Sequence, residues 1–100
     1  MSSVAASVAD RDCSTTALFS VQARAEPGVM PRLLELFAKR GLVPELWRSA
    51  TCGPKDSELT VEIRMRGLGR DEVDYIAASM RQIASVRAVL AAETRADTFG

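Results

Sequence analysis

The chain has 100 residues and not one histidine. That absence removes the commonest general base and every Ser-His or Cys-His nucleophile, so the chain is not expected to be an enzyme. Cysteine is scarce too. Cys13 and Cys52 stand far apart with no histidine to complete a ligand set, so they read as free thiols, and neither metal nor cofactor is expected. Net charge is missing as well, because 13 basic residues balance 13 acidic ones. No overall field then draws nucleic acid or anionic lipid to the chain. No apolar run approaches membrane-spanning length, and Met1–Ala9 lacks the Lys or Arg and the sustained apolar stretch of a secretory signal. A cytoplasmic protein is expected.

What is present is the composition of an ordinary globular chain, 47% hydrophobic and 26% charged, long enough for one domain and one core. Residues 1–14 and 94–100 carry no sustained apolar period and read as flexible tails around a domain at 15–93. Ala17, Phe19, Val21 and Ala23 alternate with Ser20, Gln22 and Arg24, which predicts a first strand. Glu26, Pro27 and Gly28 break it. Val29, Leu33, Leu36, Phe37 and Arg40 then recur at helical spacing up to Gly41, with Pro31 tolerated in the first turn. Val43–Cys52, carrying Leu46, Trp47 and Ala50, predicts a second strand. After the turn formers Gly53–Ser57, the residues Leu59, Val61, Ile63 and Met65 alternate with Thr60, Glu62, Arg64 and Arg66 in a third strand. Val73, Ile76, Ala77, Met80 and Ile83 predict a second amphipathic helix ending near Ala84, with Asp71 and Glu72 in its first turn. A last strand follows from Val86 to Ala92.

This order is that of the α+β ferredoxin-like βαββαβ sandwich, a four-stranded antiparallel sheet with two helices on one face. Two helices cover only one face, so the other face and both edges are left to water or to a partner. A homodimer through the edge of the second strand is the expectation. The fold hosts many functions, and the residues must choose among them. Stacking aromatics of an RNA-recognition module are missing from Glu58–Arg66. The loop Glu26–Met30 holds neither the paired cysteines of a metal chaperone nor the phosphate-cradling arginine of an acylphosphatase.

The run Ala25–Gly41 resembles the first loop and helix of an ACT domain, and Ile83–Val89, entering the last strand, resembles the same end of acetolactate synthase small subunits of the short single-domain type. The likeness spans Thr16 to Glu93. It implies a regulatory amino-acid site at Glu26, Pro27, Gly28, Val29, Met30 and Val43, and an interface at Glu45, Leu46 and Trp47 of the second strand. Gly28 would let a ligand or a partner backbone approach the unpaired amides of the helix start, or it is simply a turn glycine. Trp47 either anchors a partner or packs on its own sheet. Valine-sensitive small subunits place asparagines where Ala25 and Val43 stand here. Without those amides a buried zwitterion is left unpaired, and valine should bind weakly or not at all. Two functions stay open. One is a non-catalytic subunit supporting an acetolactate-synthase-like enzyme of branched-chain amino-acid biosynthesis; the other is a free-standing ACT homodimer sensing an amino acid or other small metabolite.

Overall fold

A computed structural model describes residues 15–95. The elements are Thr15–Arg24 (β1), Val29–Ala38 (α1), Leu46–Cys52 (β2), Glu58–Arg66 (β3), Arg70–Arg81 (α2) and Val86–Arg95 (β4). They form one antiparallel sheet in the order β2-β3-β1-β4, the ferredoxin-like arrangement that the element order predicts. Alternation sets the two faces. Ala17, Phe19, Val21 and Ala23 of β1 and Leu59, Val61, Ile63 and Met65 of β3 are buried on one face, with Val29, Leu33 and Phe37 of α1 and Val73, Ile76, Ala77 and Met80 of α2 completing the same core. Phe19 and Phe37 meet edge to face, with ring centroids 5.9 Å apart and planes at 74°, the arrangement that suits aromatic quadrupoles.

Several boundaries differ from the sequence expectation for local reasons. β2 begins at Leu46, not Val43, because Pro44 has no N–H to give a ladder and holds the residue before it away from regular pairing. α2 stops at Arg81 with Gln82 as its C-cap, so Ile83 packs on the core from a turn and not from the helix. β4 runs on past Ala92. Thr94 pairs with Thr16 and Arg95 with Thr15, which corrects the tail expected from 94; Cys13 and the remaining tail positions lie outside the described residues. The β2–β3 connection is looser than a two-residue hairpin. Pro54–Asp56 form a short 3-10 turn in which Lys55 and Asp56 adopt positive φ, and a Cβ on Gly53 (φ 81°) would lie 2.9 Å from Glu58 Cγ.

The open face carries paired charges over β2 and β3. Arg48 meets Glu62 at 3.7 Å, and Arg87 reaches Glu58 at 3.2 Å. Arg64 and Arg66 of β3 both close across the strands on Glu45, just before β2. Arg40 sits over the Tyr75 ring at 4.7 Å and pairs with Glu72 at 3.9 Å, which ties the end of α1 to α2. Among the described residues no helix is long and apolar enough to cross a membrane.

Candidate functional site

The loop between β1 and α1 is held by its own backbone. Arg24 N–H donates to Ser85 O, Ala25 N–H to Ser57 O, and Val29 N–H to Glu26 O. Glu26 is further fixed by the Ser85 hydroxyl, which donates to its Oε1, and by Arg24 at 3.7 Å. Gly28 is the N-cap of α1, with φ −81° and no side-chain cap. Helix starts leave their first N–H groups unpaired, but here Val29 already has an acceptor and Pro31 has no N–H to offer. Gly28 and Met30 are what remains. The start of α1 is therefore a poorer cradle for a carboxylate than the sequence suggested.

The candidate residues divide between two sides of this loop. Pro27, Met30 and Trp47 come together with Pro31, Leu34 and Pro44 around an open groove of about 620 Å³, between α1 and the β2 edge. Every residue lining it is apolar. Glu26, Gly28 and Val29 instead border a cavity of about 310 Å³ shared with Arg32, Ile83 and Ser85. Val43 borders neither and is 83% exposed. Leu46 faces the other side of the sheet, beside Leu18 and Glu62 in a depression of about 130 Å³. Glu45 lies just before β2 and accepts from Arg66 Nε at 3.2 Å. The Arg66 hydrogen bond holds its carboxyl below the usual 4.5; desolvation opposes it, and the positive charges of Arg66 and Arg64 add to the lowering. Arg64 Nε is buried without a hydrogen bond, at ion-pair distance (3.6 Å) from Glu45.

Trp47 packs half-buried against the core of its own sheet and also lines the groove. Sequence reasoning did not pick out Pro31, Leu34 or Pro44. The available signal was Leu34, a large apolar residue that lies off the stripe of Val29, Leu33 and Phe37 and is exposed. Cys52, at the end of β2, is a free and exposed thiol.

An antiparallel βαββαβ sheet with a glycine-capped first helix and an apolar groove at its edge defines a small module of the ferredoxin-like class. The chain belongs to the ACT-like domain family, whose model matches residues 10–98. ACT domains are in general regulatory and non-catalytic, and no catalytic family is indicated. Among solved structures the fold resembles the ACT domain of GTP pyrophosphokinase from Chlorobium tepidum, with TM-score 0.64, 13% identity, and 77% of this chain and 96% of that one covered. It also resembles the C-terminal domain of the MgtC protein from Mycobacterium tuberculosis, with TM-score 0.66, 15% identity, and 87% and 96% covered. The regulatory subunit of aspartate kinase from Thermus thermophilus is similar at TM-score 0.56 and 14% identity, with 83% of this chain and 52% of that one covered. No curated protein sequence matches the chain.

The two sides of the loop can be told apart by Gly28→Val. An added Cβ meets nothing within 4 Å, and φ is negative, so only the poor N-capping of valine counts against the fold, at about 1 kcal/mol. A melting temperature within roughly 4–8 °C of wild type is expected, read by circular dichroism. A ligand seated on the Arg32 and Ser85 side should be displaced, whereas one in the Trp47 groove should not.

Proposed function

We propose that this chain is a non-catalytic regulatory subunit that docks on a partner enzyme through the groove between α1 and the β2 edge. The observation that carries this reading is the lining of the groove, in which Pro27, Met30, Pro31, Leu34, Pro44 and Trp47 offer no charged or hydrogen-bonding side chain apart from the indole N–H. A free amino acid would have to leave its ammonium and carboxylate unpaired there, at a cost of several kcal/mol on the order of that for buried unpaired polar groups. An apolar side chain projecting from a protein surface has no such cost. The segments Ala25–Gly41 and Ile83–Val89 favour a catalytic subunit of the acetolactate synthase kind, in branched-chain amino-acid biosynthesis, as the partner.

The second reading, a free-standing sensor of an amino acid or other small metabolite, is supported by the smaller cavity beside Gly28. Arg32, Glu26 and Ser85 give it polar groups of both signs. The experiment that decides mixes the full chain with the acetolactate-synthase-like catalytic subunit from the same genome and follows co-elution and turnover, with calorimetry of the chain alone against valine in parallel. Co-elution with raised turnover, and no heat with valine, is the expected result. Failure to co-elute removes the proposed partner. A micromolar dissociation constant for valine moves the function to the smaller cavity.

A further inference from the structure

Both helices pack on one side of the sheet, so no element among the described residues covers the other face. That face has a definite pattern. Leu46, Arg64, Leu18 and Ala92 stand side by side in one row, and Arg48, Glu62, Ser20 and Leu90 in the next. Leu90 is 73% exposed and Leu18 41%, and as diagonal neighbours they lie about 7–8 Å apart. On the other flank of Leu18 is Arg64, whose Nε is buried with no hydrogen-bond acceptor among the described residues. An apolar pair beside an arginine with a donor to spare suits a cover that brings both a carboxylate and apolar side chains.

We infer that this cover is the chain's own residues 1–14, folded back over the open face from the start of β1, with Asp12 and Asp10 toward Arg64 and Arg66 and with Val8 and Val4 over Leu18 and Leu90. The order along the chain matches the order on the sheet. β1 begins at Thr15, next to the row of Arg66, Thr16 and Thr94. A segment that turns back there meets Arg66 first, then Arg64 and Leu18, then Leu90. Ahead of Thr15 the acids stand nearest the turn, at Asp12 and Asp10, and the valines further out, at Val8 and Val4. The length is sufficient. From Thr16 to Ser20, in the row of Leu90, is about 13 Å of strand, whereas ten residues of extended chain reach on the order of 33 Å. On the helix side this end of the sheet is already occupied, because Gly67 N–H donates to Thr15 O and Leu68 joins the buried core.

Charge favours this occupant over a second copy. The whole chain is neutral, but the residues outside 15–95 bring Asp10, Asp12 and Asp97 against Arg11 alone, so the described domain carries a positive excess. Part of that excess lies on the open face, in Arg24, Arg48, Arg64, Arg66 and Arg87. Two copies laid face to face would set these arginine-rich surfaces together, and like charges across an interface are costly. A segment with two aspartates meets the same surface with the opposite sign. No residue of the Trp47 groove takes part, so the inference stands whether or not the groove docks an enzyme.

Paramagnetic broadening of amide signals in the full chain tests the contact. A nitroxide is attached at Ser7→Cys in a Cys13→Ser, Cys52→Ser background, which leaves Val4, Val8 and both aspartates in place. The amide signals of Leu18, Ser20 and Leu90 are expected to be lost, while those of Asp74 and Tyr75, exposed on α2, are kept. Asp10→Lys combined with Asp12→Lys should restore the signals of Leu18 and Leu90 with an unchanged circular dichroism spectrum, since neither position belongs to a strand or helix of the described domain. A mixture of spin-labelled chain with unlabelled, isotopically enriched chain should keep every signal. Signals of Leu18 and Leu90 that survive in the labelled chain, or that stay lost after both lysine substitutions, would overturn the inference. Broadening in the mixed sample would overturn it too, by giving the face to a second copy.

Discussion

Phe37→Ala is expected to destabilise the domain by about 3–5 kcal/mol, the usual cost of removing a buried phenylalanine ring. Phe37 is fully buried and is the residue through which the C-terminal half of α1 rests on the sheet, its ring edge-on to Phe19. The site is poorly able to collapse. Phe37 O accepts from both Arg40 and Leu42 N–H, so the backbone around it is held while the ring's space empties. A domain of this size has about 5–15 kcal/mol in all, and short chains sit toward the lower end. Thermal unfolding followed by circular dichroism should show a midpoint roughly 12–40 °C lower, at about 4–8 °C per kcal/mol. A fall of only a few degrees would mean that α1 is not seated on the sheet by this ring.

The same residue explains why so much of the fold was legible. Phe37 belongs to a stripe with Val29 and Leu33, and Leu59, Val61, Ile63 and Met65 alternate over a whole strand, so period alone assigns each to the buried face. Period failed where something other than burial decides. Val86, Ala88, Leu90 and Ala92 share a two-residue spacing, yet the buried residue of β4 is Val89, because the irregularity opposite Gln22 and Ala23 shifts the phase of the strand. Nothing in the residues of β4 announces that shift. The site was half legible for a related reason. The loop Glu26–Met30 is marked by its glycine and proline, but Pro31, Leu34 and Pro44 join Trp47 only when α1 is laid beside β2, a proximity that depends on tertiary packing and leaves no local pattern.

Leu34→Glu is expected to weaken docking on the partner enzyme by at least about 30-fold while leaving the fold intact. Leu34 is 46% exposed, and surface substitutions of this kind change stability by about 0.5 kcal/mol or less. Its position in the groove, flanked by Met30 and Pro31 and facing Trp47, makes it an apolar contact that a docking side chain would cover. Truncating a covered anchor typically costs about 2 kcal/mol or more, and a carboxylate adds the desolvation of a charge with no basic residue in the lining to meet it. Trp47→Ala should weaken docking as well, but it also removes packing from the core, so its melting temperature should drop where that of Leu34→Glu does not. The measurement is the dissociation constant for the acetolactate-synthase-like catalytic subunit, taken with each variant at a temperature where circular dichroism shows it folded. Unchanged affinity of Leu34→Glu would exclude the groove as the docking surface. If Gly28→Val abolished binding in the same series, the contact would lie on the Arg32 side of the loop, and the polar cavity bordered by Glu26 and Ser85 would become the site.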